Sequence, residues 1–98
     1  MATYVLLSRW TEQGIGAVEQ APARVDSIRQ MFRRNGAEVK EVFLLMGRYD
    51  TMLVFDAPDD ETCARLCIAL GKAGNVHTET LRAFREDEFK RIVSNLPK

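Results

Sequence analysis

Phe43-Leu44-Leu45-Met46-Gly47-Arg48-Tyr49-Asp50-Thr51-Met52-Leu53-Val54-Phe55 is the stretch of this sequence that decides the fold. It consists of two apolar runs that meet at a glycine, a pattern typical of a β-hairpin. Apolar residues occupy both alternating sides of each run, so both faces of these strands need cover. The sequence therefore predicts a buried β-hairpin, with one strand over residues 38–46 and the next over residues 49–55.

Composition and charge narrow the class of protein. The 98 residues suffice for a single domain, residues 1–98, and 46% of them are hydrophobic and 29% charged, as in soluble globular proteins. Fourteen basic and fourteen acidic side chains give a formal net charge of zero, which argues against nucleic acid or an anionic membrane as a partner. No apolar run is long enough to span a bilayer and no secretory signal is visible, so the expected location is cytoplasmic.

The segments around the hairpin alternate between strand and helix patterns. Strand patterns occur at residues 4–10 and 75–84, and helix patterns at residues 22–34, 59–71 and 85–96. The order strand, helix, strand, strand, helix, strand is that of a ferredoxin-like α+β fold, βαββαβ. We therefore predict an antiparallel sheet with two helices on one face, plus a short C-terminal helix.

The second face of this sheet is the basis for predicting an assembly. Two helices cover only one face, yet the strands of the hairpin carry large apolar residues on both. We predict a homodimer whose sheets pack face to face, as in a dimeric α/β barrel. The C-terminal helix, whose apolar stripe is Phe89, Ile92, Val93 and Leu96, would cover an edge or reach onto the partner. The alternative is a monomer in which this helix folds back over its own sheet.

Several segments carry a family resemblance. Residues 46–50, 57–61 and 74–84 resemble the GYD domain family, and residues 10–15 and 22–24 resemble its N-terminal pattern. The signature letters would be Gly47, Tyr49 and Asp50, with Arg48 inserted after the glycine. The resemblance implies a fold similar to the dimeric α/β-barrel group. It implies no particular activity, because that group includes cofactor-free oxygenases, haem enzymes and small-molecule-binding regulatory domains.

Three residues are candidates for acid–base catalysis. His77 is the only histidine, the residue type most often used for proton transfer in enzymes. Asp50 would act as a base if its carboxylate pointed into a cavity, and Tyr49 would contribute if its hydroxyl faced the same cavity. The alternatives are structural: an aspartate after a turn bonds backbone amides, and a tyrosine at this position packs in the core.

A partly overlapping set is predicted to bind a ligand. On a regular fourth strand His77 and Glu79 share a face and would form a polar pair, whose alternative is an exposed cross-strand pair. Trp10 precedes a glycine-containing loop and would line a pocket mouth or pack under that loop. The predicted ligand-binding set is therefore Trp10, Tyr49, Asp50, His77 and Glu79. An anionic ligand would be bound by Arg9, Arg24, Arg48 or Arg82, whose alternative is solvated surface charge.

Neither a metal nor a cofactor is expected. Cys63 and Cys67 lie four residues apart in a predicted helix, where they are poorly placed for an unstrained disulfide. We predict that they are reduced core residues, and the alternative is a redox or metal pair. Four ligands with metal spacing are not present.

The sequence favours a homodimeric small-molecule-binding protein with a pocket between sheet and helices. Two alternatives stay open. One is a cofactor-independent enzyme of the oxygenase or isomerase type that uses His77, Asp50 or Tyr49. The other is a structural or partner-adaptor subunit. The expected partners are a second copy of the chain and a small molecule.

Overall fold

The computed structural model describes residues 1–98. Its four strands are β1 (Ala2–Trp10), β2 (Glu38–Leu44), β3 (Thr51–Ala57) and β4 (Val76–Ala83). Its four α-helices are α1 (Glu12–Gly16), α2 (Ala21–Arg34), α3 (Asp60–Lys72) and α4 (Glu86–Ser94), with a 3-10 turn at Val18–Gln20. The strand order is β2-β3-β1-β4 and every neighbouring pair is antiparallel. The predicted ferredoxin-like α+β fold is confirmed.

Short-range signals in the sequence set the ends of the helices. The Thr11 side chain accepts a hydrogen bond from the Gly14 amide and so caps α1, and Asp59 caps α3 by accepting one from the Thr62 amide. Gly36 has a φ of 78°, which a glycine adopts without strain where α2 ends. The Asp59 cap marks the start of α3 and Gly36 marks the end of α2, both where the sequence predicted them.

The hydrophobic core lies between the helices α2 and α3 and one face of the sheet. Phe55 of β3 is fully buried at its centre, stacked on Tyr4 of β1 at 5.4 Å between ring centroids. Phe32 of α2 meets the same ring edge-on at 4.9 Å. Leu66 and Leu70 of α3 complete this side of the core. Both long helices therefore cover the same face of the sheet.

The opposite face of the sheet, hereafter the open face, has no helix packed on it. Strand register pairs Val5 with Val54 and Leu7 with Met52 on this face. Neighbouring positions on the outer strands add Phe43 and Leu81, which are 42% and 47% exposed. None of these six apolar side chains belongs to the hydrophobic core.

The C-terminal helix α4 extends from the body of the domain. An ion pair fixes its base, because Arg85 Nη2 lies 3.0 Å from Asp56 Oδ1. Beyond that point the predicted apolar stripe stays exposed: Phe89 on the helix is 61% accessible, and so is Leu96, which lies after the helix ends at Ser94. The helix therefore does not fold back over its own sheet, which was the basis of the monomer alternative. None of the four helices has the length and apolarity required to cross a membrane.

The turn of the hairpin differs from the prediction. Strand β2 ends at Leu44, two residues earlier than predicted, and Leu44 and Met46 are 74% and 100% exposed. A hydrogen bond of 2.8 Å from the Leu45 amide to the Asp50 carbonyl closes the loop, and Gly47 takes a φ of 128°. The prediction of a buried hairpin is therefore wrong for its turn in the single chain, and β3 begins and ends two residues later than the strand predicted over residues 49–55.

Candidate functional site

A cavity of about 280 Å³ lies between the sheet and the helices α2 and α3. Its floor is formed by β1 and β3, through Leu6 and Leu53, and one wall is the inner face of α2, through Val25 and Ile28. Leu70 of α3 forms part of the opposite wall. The volume lies near the lower limit for sites that bind small molecules.

The short helix α1 is fastened across one end of this cavity. The Thr11 amide donates to the Asn75 carbonyl at 3.0 Å, and the Thr11 hydroxyl donates to the Gly74 carbonyl at 2.6 Å. Gly14 makes the close approach possible, because a Cβ at this position would lie 2.0 Å from the Asn75 carbonyl oxygen. The segment between α3 and β4 is thereby held beside the cavity, with Asn75 in its lining.

One charged side chain lines the cavity, and it belongs to Arg24 of α2. Its Nη2 donates to the carbonyls of Gly14 and Ala17, each at 3.2 Å, so the position of the guanidinium is fixed by α1. No carboxylate lies within 4.0 Å of it. The cavity therefore has a single, positioned positive charge in a lining that is otherwise mostly apolar.

The remaining polar groups of the lining are neutral. The hydroxyls of Ser8 and Thr51 form a hydrogen bond with each other across β1 and β3. The Asn75 side chain accepts from Gln13 Nε2 at 3.2 Å. No histidine, carboxylate, thiol or phenol lines the cavity. It therefore lacks the groups that transfer protons near neutral pH and has those that orient a bound molecule.

The structure places only one residue of the predicted ligand-binding set in this cavity. Trp10, at the end of β1, lines it. Asp50 lies nearby but is engaged with the backbone: its Oδ2 accepts from the Trp10 amide at 3.0 Å, and its own amide donates to the Ser8 carbonyl at 2.8 Å. This is the structural role that the sequence left open for Asp50, and it fixes the end of β1 that carries Trp10.

The other three members of the set lie together on or beside the open face. His77 pairs with Arg9 and Glu79 with Leu7 in the register of β1 and β4, and both His77 and Glu79 are exposed. The Tyr49 hydroxyl donates to Glu79 Oε2 at 3.0 Å. This hydrogen bond, with partial burial, raises the pKa of Tyr49 above its ordinary value, so the phenol stays protonated at neutral pH.

The candidate arginines do not converge on one site. Arg9 lies over the Tyr49 ring, with 5.8 Å from its Cζ to the ring centroid, and Arg82 lies 4.3 Å over the Phe84 ring. Arg48 is exposed in the hairpin turn. Arg24 is the member of the group that lines the cavity.

The cysteines are placed as structural residues. Cys63 is buried and Cys67 is partly buried, and neither is in a disulfide. Burial, followed by the neighbouring Cys67, raises the pKa of the Cys63 thiol, which keeps it protonated and poorly nucleophilic at neutral pH. The Cys67 thiol lies 3.1 Å from the Thr80 hydroxyl. No group of three or more potential metal ligands is present.

The sequence did not single out the four neutral polar residues of the cavity, which are Ser8, Ser27, Thr51 and Asn75. Ser8 and Thr51 carried one usable signal, because each is a hydroxyl residue within a strand that is otherwise apolar toward the helices. Nothing in the sequence around Asn75 distinguishes it from an ordinary polar residue at the start of a strand.

Comparisons with known proteins relate this chain to others by sequence and by fold. A family model for the GYD domain matches residues 4–93. A protein of Thermus thermophilus named glutamine synthetase and cystathionine β-lyase binding protein is 33% identical over 84 residues, which cover 85% of this chain and 88% of the relative.

Solved structures extend the likeness to the fold. The structure of TTHA0845 from Thermus thermophilus has a TM-score of 0.54 at 26% identity and covers 87% of this chain and 95% of its own. The structure of FFRP-DM1 has a TM-score of 0.62 at 17% identity, with 86% of this chain and 100% of its own covered. This second likeness concerns the fold alone.

Proposed function

This chain belongs to the GYD domain family, and we propose that it is a homodimeric binding protein that holds a small apolar molecule between its sheet and helices. The observation that carries the proposal is the cavity of about 280 Å³, whose lining is apolar except for one cation and a few neutral polar groups. Apolar walls supply affinity, and a few placed polar groups fix the orientation of a ligand.

Binding is favoured over catalysis by what the lining lacks. General acid–base catalysis requires a group of suitable pKa within hydrogen-bonding reach of the substrate. The residues proposed for that role, His77, Asp50 and Tyr49, do not line the cavity. The position of these three residues outside the cavity argues against an enzyme whose active site is this cavity.

The dimeric state is supported by the open face. Six apolar side chains that lack cover within the chain form a patch that water would otherwise contact. A second copy provides a matching surface, because a two-fold axis brings the same face of each subunit together. Sheets that pack in this way lie about 10 Å apart, close enough for side chains of the two faces to interdigitate.

A substitution that fills the cavity tests the binding function. Val25→Phe adds volume on the inner face of α2, so we expect the variant to bind 1-octanol at least about tenfold more weakly than the wild type, the equivalent of about 1.4 kcal/mol of lost apolar contact. Isothermal titration calorimetry measures the difference. The matched control is Ile68→Phe on α3, which lies outside the cavity and is 70% exposed. Equal binding by Val25→Phe and the wild type would contradict the proposal, as would no binding by the wild type.

A second candidate function is that of a partner adaptor. Two observations favour it: α4 exposes its apolar stripe, and the Thermus relative is named as a binding protein for two enzymes. An amphipathic helix with an exposed apolar face is a common means of docking into a groove of another protein.

The adaptor function predicts an effect at Phe89. We expect Phe89→Ser to weaken association with glutamine synthetase by at least about tenfold, since a buried phenylalanine contributes about 1.5–3 kcal/mol, while octanol binding is unchanged. Surface plasmon resonance with immobilised glutamine synthetase gives the affinity. Lys90→Ser is the matched control, because the neighbouring Lys90 side chain is 75% exposed. Equal losses in both variants, or no loss in either, would remove the support for docking through this stripe.

A further inference from the structure

We propose that the ligand of the cavity is a small apolar monocarboxylate whose carboxylate binds Arg24. The inference rests on the proposed function, namely that the cavity holds a small molecule, and it adds the chemical class of that molecule. Three features carry it: the state of the Arg24 side chain, a second donor at Asn75, and the size and composition of the walls.

The Arg24 guanidinium has hydrogen-bond donors that are available to an anion. Its Nη2 is occupied by the carbonyls of Gly14 and Ala17, while its Nη1 and Nε make no hydrogen bond within the chain. The side chain is partly buried and has no acidic partner within 4.0 Å. A partly desolvated cation without a counter-charge is unfavourable, and a carboxylate relieves this through charge-assisted hydrogen bonds.

Asn75 supplies a second donor in the same lining. Its Oδ1 already accepts a hydrogen bond from Gln13, which leaves the two amide hydrogens of Asn75 without a partner in the chain. The unengaged nitrogens of the two side chains, Nε and Nη1 of Arg24 and Nδ2 of Asn75, are therefore donors. Donors without matching acceptors are complementary to an anion rather than to a cation.

The volume and the apolar walls of the cavity restrict the size and polarity of the rest of the ligand. A cavity of 150 Å³ holds benzene, so about 280 Å³ accommodates a chain or fused ring of roughly ten carbon atoms. No second charged side chain lines the cavity, so a second carboxylate or an ammonium group on the ligand would be buried without a partner. The fitting class is a monocarboxylate with an apolar body.

The fluorescence of Trp10 provides a direct test. Trp10 is the only tryptophan of the chain and it lines the cavity, so a ligand that enters changes its emission. We expect the wild-type protein at pH 7.5 to bind sodium octanoate at least about tenfold more tightly than octanamide, which has the same chain and an uncharged head.

Variants at Arg24 test whether this side chain binds the carboxylate of the ligand. We expect Arg24→Met to lose the preference for octanoate over octanamide, and Arg24→Lys, which keeps the charge, to retain part of it. Arg33→Met is the matched control, because Arg33 lies on the same helix, is exposed and does not line the cavity. Circular dichroism establishes that each variant is folded, and the lysine variant serves as the test if the methionine variant is not.

The outcomes separate the two proposals. A preference for octanoate that disappears in Arg24→Met and persists in Arg33→Met supports the monocarboxylate. Equal binding of octanoate and octanamide, or a preference that persists in Arg24→Met, overturns it while the binding function stands. If neither these compounds nor 1-octanol binds, both proposals fail.

Discussion

Replacing Val54 by Glu is expected to convert the proposed homodimer into a monomer, with a dimer dissociation constant at least about a thousandfold higher. Val54 lies near the centre of the open face, between Val5 of β1 and Glu41 of β2 in the strand register. Two-fold symmetry places the new carboxylate in the interface twice, and an unpaired buried charge costs about 3–5 kcal/mol. Light scattering after size-exclusion chromatography distinguishes twice the chain mass of 11.1 kDa from the chain mass itself.

The control for this experiment is an equally severe change elsewhere on the surface. Ile68→Glu introduces the same charge at a side chain of α3 that is 70% exposed and far from the open face, so the dimer should persist. A dimer of Val54→Glu as stable as that of the wild type would show that the open face is not the interface. A wild-type protein that is monomeric at millimolar concentration would overturn the dimer altogether.

The second large effect concerns the centre of the core. Phe55→Ala is expected to lower the free energy of unfolding by about 3–5 kcal/mol, the usual cost of removing a fully buried aromatic ring. The ring is 0% exposed and packs against both Tyr4 and Phe32, so its loss leaves a cavity that the rigid sheet does not fill. Urea denaturation followed by circular dichroism measures the change.

Phe43→Ala is the matched control, because it makes the same substitution on the other face of the sheet. Phe43 is 42% exposed in the single chain, so its removal should cost less than about 1 kcal/mol. Both substitutions are best compared in the Val54→Glu background, where dissociation does not contribute to unfolding. Equal losses at Phe43 and Phe55 would contradict the assignment of the core to the helix-covered face.

Features set by neighbouring residues could be predicted from the sequence. The caps at Thr11 and Asp59 depend on an amide three residues ahead, and the positive φ angles of Gly36 and Gly47 depend on the chain turning at that point. The order of these local elements was enough to identify the fold, since few arrangements connect them without crossing.

The hairpin turn and the cavity depend on contacts distant in sequence. Leu45 and Met46 continue an apolar run, yet the chain leaves the sheet there because Asp50 is bonded to β1, some 40 residues away. The cavity likewise combines Arg24 of α2 with Asn75 from beyond α3. The alternation of side chains along β4 correctly predicted that His77 and Glu79 share one face of the sheet. It does not indicate which face of the sheet meets the helices.

The central position of β1 has a consequence for the synthesis of the chain. β1 precedes both of its partners in the chain and pairs only with residues 51–57 and 76–83, so it has no sheet partner until those residues have been translated. A sheet closed by such distant segments folds more slowly than a bundle of local contacts. During that interval Val5, Leu6 and Leu7 form an unpaired apolar strand that is prone to associate with other chains. We therefore expect β1 to be the strand most open to wrong association until the residues of β4 have been made.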